Sequence, residues 1–482
     1  MRITLSGEQH EAVERMAAEP TRAALNAALT GVGKTVMAVE LAKRLSAQTI
    51  LVIAPIKRPV VNAWKATFEK QGVTLPFYVI DSSHPEHFEM LRTNVPGVYY
   101  VGREYFALSA TSLKPKEKKD GTWTKGRERK WSWSKVQPDL AIYDEVQSVS
   151  NRWSEGYIVL KTLKAGYKVA MSATPQGNRF KGIWSVCRWL WPEAINPKTG
   201  ERYVDRSQWN WAAEWAKQEF DVYAGLKITD ERVPGAFVNS LPCYVRIEDN
   251  RAPVETRVVK IDLTPRQRAL YDKMERDMLV WLDEHPLVAD IPIVQRMRMR
   301  QITLGEPTLI DNGRLDDDGQ TIYDVDFDDN CESAKIDALH TIISKYHPDE
   351  PILILMDSQK FARVVATRLG SQASEWSGAV SQKERQHIFE EFGKSVKYIV
   401  ATVPAVAEGL DGLQRVCHTE VWLSQSLNEM LNHQARGRVD RQGQTEDVIR
   451  YYVHARKTDD DRHFQDLLGQ HISQRETLKK EA

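Results

Sequence analysis

Cysteine is scarce in this chain of 482 residues: Cys187, Cys243, Cys331 and Cys417 are scattered, and none forms a C-x-x-C pair. That spacing argues against a disulfide framework or a zinc knuckle and fits a reducing cytosol. His84 and His87 lie in a proline-containing segment that reads as a surface loop, not a metal site. Long apolar runs are missing too. No stretch approaches the roughly 20 apolar residues of a membrane span, and the first residues lack the apolar core of a signal peptide. A soluble, cytoplasmic protein is expected, with no membrane partner. Excess charge is the last absence: 66 basic and 66 acidic residues sum to zero. A protein that coats nucleic acid by bulk attraction is disfavoured, and any basic surface must be local.

What is present is ordinary for a soluble protein, 42% apolar and 27% charged, at a length that predicts two to four domains. Short apolar runs recur at 49–54, 98–101, 140–143 and 168–171, and again at 352–356, 398–401, 421–423 and 448–453. Continuous apolar strands predict parallel sheets covered on both faces. Helical stretches such as 35–45 lie between them, so the pattern is α/β with one sheet in each half. The run AALNAAL before Thr30 favours helix by propensity, but its place ahead of a glycine-bearing loop predicts a strand. Three further segments stand out. Residues 114–135 are basic with Trp123, Trp131 and Trp133 interleaved; a nucleic-acid surface, including Lys130 and Trp131, and a solvated hairpin fit equally. Residues 184–215 hold six of the fourteen tryptophans, which predicts core. Residues 311–330 are strongly acidic and read as a flexible or hairpin linker.

The chemistry concentrates in three places. Ala28–Thr35 reads ALTGVGKT, a phosphate loop in which Ala28 replaces the first glycine. Gly31 and Gly33 let backbone N–H groups turn toward phosphates, with Val32 between them. Lys34 supplies positive charge there, Thr35 supplies a hydroxyl for Mg²⁺, and the following helix adds its positive end. In LAIYDE an apolar strand ends in Asp144 and Glu145. Asp144 is expected to hold Mg²⁺ and Glu145 to orient and deprotonate an attacking water. In NHQARGRVDR, Gln434, Arg438 and Arg441 lie at i, i+4 and i+7, on one face if the segment is helical. That spacing suits arginine fingers acting on ATP held by the first half, worth roughly 10³ to 10⁵ in rate.

In this order the motifs resemble helicase superfamily two, and within it the Swi/Snf-type ATPases, over nearly the whole chain. Gln9 in LSGEQHEAV stands where that family reads adenine. ILVIAPIKRPVVNAW is similar to motif Ia, IYDEVQSVSN to motif II and MSATPQGN to motif III. ILILMDSQKFARVV resembles motif IV, ATVPAVAEGLDGLQ motif V and HQARGRVDRQGQT motif VI; VVKIDLTPRQRALYDKM also resembles the Swi/Snf branch. The resemblance implies two RecA-like lobes using ATP and Mg²⁺, with Ser172 and Thr174 coupling nucleotide state to the nucleic acid. It implies backbone contacts to nucleic acid, double-stranded DNA first, at Lys57, Arg103 and Thr402. A stand-alone, monomeric motor of bacterial or phage type is the expectation. Two departures matter. Gln147 stands where the branch has histidine, which implies weakened or retuned coupling, and EGLDG in motif V is closer to general superfamily-two helicases, which supports a strand-separating helicase as the alternative. The implied division is a first lobe over 1–240, a connector over 241–332, a second lobe over 333–460 and a charged tail over 461–482.

Overall fold

In the computed structural model the described residues are 4–56, 58–109, 132–177, 179–221, 225–248, 253–277, 279–282, 285–288, 292–315, 321–409, 412–441, 443–464 and 467. The chain divides into two compact units after Asp249.

The first unit is built on a seven-stranded sheet whose strands all run parallel. Across it the order is Phe77–Ile80, Gly97–Gly102, Thr49–Ala54, Leu140–Asp144, Tyr167–Met171, Ala23–Asn26 and Tyr244–Val245. Every residue of Thr49–Ala54 is buried, as the unbroken apolar run predicts. Each fully buried valine, leucine or isoleucine side chain contributes about 1.5–3 kcal/mol. Ala23–Asn26 is a strand despite its alanines, because it pairs with a strand on each side and all four residues are buried. Two-sided pairing outweighs the small helix preference of alanine. Four of the six tryptophans of 184–215 (Trp184, Trp189, Trp191 and Trp211) join this core, whereas Trp209 is exposed. Trp133 is also core, packed edge-on against Phe88 with ring centroids 5.0 Å apart. Trp123, Trp131 and Lys130 lie outside the described residues.

The second unit has a six-stranded parallel sheet in the order Val254–Ile261, Val448–Ala455, Thr419–Trp422, Ile352–Met356, Tyr398–Thr402 and Ala373–Trp376. Its central strand serves two cores at once. Ile352, Ile354 and Met356 enter one cluster, and Leu353 and Leu355 enter the other. Alternate residues of a strand face opposite sides, so a strand covered on both faces reads as one apolar run.

Residues 241–332, expected as a connector, are shared between the units. Tyr244–Val245 extends the first sheet, whereas Val254–Ile261 is an edge strand of the second. The acidic segment takes the hairpin form: Thr308–Leu315 pairs antiparallel with Thr321–Asp326, with an irregularity between Asp311 and Arg314. Among the described residues no helix is long and apolar enough to cross a membrane.

Candidate functional site

The phosphate loop leaves the strand Ala23–Asn26 and runs into the helix Lys34–Arg44. Its backbone continues the sheet edge first, with Ala27 N donating to Val245 O at 2.8 Å and Leu29 N to Ile247 O at 3.1 Å. It then turns at Gly31 (φ 84°) and Gly33 (φ 76°), both in the left-handed region that a side chain disfavours. A Cβ on Gly33 would also stand 3.0 Å from Gln9 Nε2. Lys34 Nζ donates to the carbonyls of Ala28 (2.9 Å) and Leu29 (3.0 Å), inside the curl of the loop. Thr35, in the first helical turn, is half-buried.

Gln9 is placed over this loop by a capping box. Ser6 caps the helix Gly7–Ala17, Gln9 Oε1 accepts from Ser6 N at 2.8 Å, and Gln9 Nε2 donates to Val32 O at 2.9 Å. The same side chain thus ends one helix and rests on the phosphate loop.

The paired carboxylates sit at the C-terminal end of Leu140–Asp144, in the same sheet as the phosphate loop. Burial, and then the charge of Glu145, push the Asp144 carboxyl up to about 6, against the pull of Lys34 and of a hydrogen bond from Trp64. Trp64 Nε1 donates to Asp144 Oδ2 at 3.4 Å. Glu145 adopts φ 54°, ψ 52°, a left-handed conformation costing roughly 1–2 kcal/mol in a non-glycine residue. Its N–H donates to Asp144 Oδ1 at 3.0 Å, and Arg103 Nη1 reaches its carbonyl at 3.5 Å. Gln147 is buried, and its Nε2 donates to Glu145 Oε2 at 2.5 Å. The residue that departs from the branch pattern therefore holds the carboxylate expected to act on water.

Ser172 and Thr174 are buried just past Tyr167–Met171, and Ser172 Oγ accepts from Thr174 N at 2.9 Å. Among the nucleic-acid contacts expected from sequence, Lys57 lies outside the described residues. The Arg103 guanidinium lies against the motif II turn, and Thr402 is buried at the end of its strand in the second unit.

In the second unit the helix Glu429–Arg436 is capped by Asn428 and stops at Gly437. The expectation of one continuous helical face for Gln434, Arg438 and Arg441 is therefore corrected. Gln434 is helical, while Arg438 and Arg441 lie in the turn beyond Gly437, because glycine propagates a helix poorly. All three are half-buried, and Arg438 Nη2 donates to Ala407 O within this unit.

Trp64 is the site residue that motif reading passed over. Its signal was its place at the end of the motif Ia-like run; nothing in the spacing ties an indole to Asp144. The donor set fits a magnesium nucleotide: a loop with two left-handed glycines, an ammonium, a hydroxyl, and a desolvated carboxylate that a divalent cation would stabilise. Among the described residues no cluster of three or more His, Cys, Asp or Glu suits a metal held by protein alone.

Two family models match, one per unit. Residues 2–177 match the type III restriction enzyme res subunit, and residues 334–443 match the helicase conserved C-terminal domain. An uncharacterized ATP-dependent helicase of Mycoplasma genitalium is 22% identical over 334 residues, 67% of this chain and 29% of its own length. Another, from Bacillus subtilis, is 21% identical over 334 residues, 66% of this chain and 56% of its own length. The chain thus spans well under two thirds of either relative. Among solved structures, the Sulfolobus solfataricus SWI2/SNF2 ATPase core in complex with double-stranded DNA aligns over 100% of this chain and 98% of its own. There the identity is 17% and the TM-score 0.38. Each unit is thus matched over its own motifs, and the two matches together support the resemblance to helicase superfamily two, with one parallel α/β sheet in each unit.

Proposed function

We propose that this chain is an ATP-driven motor that travels along nucleic acid, with duplex DNA as its track. The observation that carries the reading is the clamped carboxylate pair: Asp144 desolvated beside Lys34, and Glu145 held by Gln147 at 2.5 Å. A switch that only bound nucleotide would need the phosphate loop but not an oriented base. In this reading Gly31, Val32, Gly33 and Lys34 cradle the phosphates of ATP, Gln9 reads its base, and Glu145 takes the proton of the attacking water. Thr35 and Asp144 would hold Mg²⁺, which supplies charge neutralisation between the phosphates. Gln434, Arg438 and Arg441 act on the nucleotide from the second unit. An arginine there acts mainly in the transition state, so Arg441→Ala lowers kcat far more than nucleotide affinity.

The Swi/Snf-like motif VI and the VVKIDLTPRQRALYDKM segment favour movement on duplex without strand separation. The EGLDG of motif V favours the second reading, a helicase that opens forks. ATPase rates with blunt duplex and with single-stranded DNA, followed by displacement on a forked substrate, decide between them. Strong duplex stimulation without displacement is expected. Displacement with single-strand stimulation selects the helicase, and absence of turnover with either DNA and Mg²⁺ sinks the motor.

A further inference from the structure

Beside motifs II and III lies a surface that none of the assignments above uses. Two glycines bring the loop after motif III against the turn after motif II. Gly177, at φ 66°, leaves no room for a side chain, since a Cβ there would stand 2.8 Å from Ser150 Oγ. Gly182 is tighter still, since a Cβ there would stand 2.1 Å from Gln176 O and 2.8 Å from that of Ser150. Ser185 Oγ fastens the contact by donating to Ser150 O at 3.1 Å. This close approach gathers cations from two segments. Burial first, and then the like charges of Arg179 and Arg152 that bear on it, lower the pKa of Lys181. Arg179 and Lys181 are exposed.

An aromatic ring completes the patch. Trp153 is 74% exposed, the most open tryptophan among those whose exposure is described, and the Arg152 guanidinium lies 4.7 Å from its ring centroid. An exposed indole is expensive to leave in water, because a large aromatic side chain normally contributes through burial. Three like charges held together repel one another, and a polyanion relieves that repulsion. Phosphates beside a ring on which a base can lie is the combination that single-stranded nucleic acid offers.

We propose that Arg152, Trp153, Arg179 and Lys181 form a nucleic-acid-binding patch in which the cations contact phosphates and Trp153 stacks on an unpaired base. The proposal rests on the motor reading and, since a blunt duplex offers no unpaired base, on its fork-opening form; it adds a contact on the two loops that carry Gln147, Ser172 and Thr174. A strand held there bears directly on the segments flanking the nucleotide site.

The test uses the full chain and fluorescence anisotropy with a mixed-sequence oligodeoxynucleotide and its blunt duplex, over a series of salt concentrations. The pair Arg179→Ala and Lys181→Ala is expected to flatten the salt slope on the single strand by about 0.7 per cation. Trp153→Ala is expected to weaken single-strand binding roughly fivefold or more while affecting blunt duplex less, and Trp153→Phe to restore most of it. All these side chains are exposed or half-buried, so thermal unfolding should not move. An unchanged slope in the charge variant, or unchanged single-strand affinity in Trp153→Ala, overturns the patch. If the unmodified protein holds neither nucleic acid, the motor reading falls and the patch with it; binding that the variants leave intact removes the patch alone.

Discussion

Glu145 is held in an unfavourable backbone conformation by three neighbours: Asp144 takes its N–H, Arg103 reaches its carbonyl, and Gln147 grips its carboxylate. Strain of this kind persists where the surroundings over-determine the geometry, and it is typical of a group that must point one way. Gln147→Leu tests this at the scale of a single amide. The leucine keeps the volume and removes the donor, and Gln147 Oε1 is itself buried without a partner among the described residues. Folding should therefore be little affected, while misplacing the base proposed above is expected to lower kcat by roughly ten- to a hundredfold. Steady-state hydrolysis with saturating DNA measures it; kcat within twofold of the unmodified protein would show that the amide plays no orienting part.

At the scale of an element, the short helix Glu429–Arg436 is held by a buried ion pair between its own first and last turns. Glu429 is fully buried and pairs with Arg436, while Asn432 donates to the same carboxylate at 3.1 Å. Asn432 also clasps the loop before the helix, donating to Ser426 O at 2.9 Å and accepting from Ser426 N at 2.8 Å. Lys335 and Arg300 take the neighbouring carbonyls of Leu423 and Gln425. The approach to Gln434, Arg438 and Arg441 is therefore fixed by side chains from three helices. Arg436→Met removes the cation that faces the buried Glu429 carboxylate, and breaking a buried pair in this way costs about 3–5 kcal/mol. Urea unfolding should show the loss, and Glu429→Gln in the same chain should recover part of it. A loss below about 1 kcal/mol would mean the pair is solvated in solution.

Each unit has its own core, so stability is to be argued unit by unit. In the second unit His454 and His463 are buried, and burial first of all drives both down to about 4 from the usual 6.5. Above pH 6.5 they are neutral folded or unfolded and cost nothing. Between 6.5 and 4 the unfolded chain binds protons that the folded one refuses, so stability falls as pH falls, by about 1.4 kcal/mol per pH unit for each. In the first unit Asp144, raised to about 6 from 3.8, works in the opposite sense between those two values. Urea midpoints from pH 7 to 4.5 should thus decline for the transition of the second unit. Replacing both histidines with glutamine should flatten that decline, and an unaltered slope in the double variant would assign it to other groups.

The strands were legible because a strand covered on both faces must be apolar throughout; Thr49–Ala54 and Ile352–Met356 match their apolar runs to the residue. The phosphate loop and the carboxylate pair were legible because phosphate chemistry demands those residue types at that spacing. Three things were not. The helix carrying Gln434 stops at Gly437, where the poor helix propensity of glycine outweighs the periodicity that would have carried Arg438 and Arg441 onto one face. Residues 241–332 part between two sheets, since strand pairing joins segments far apart in the chain. The Trp64–Asp144 contact and the Arg152–Trp153–Arg179–Lys181 patch join residues with no shared local pattern. Local chemistry, a period, a cap or a phosphate loop, is written in neighbouring residues and so was determined by the amino-acid order alone. Which distant side chains meet depends on strand order and on glycines that let loops touch, and that only the folded chain decides.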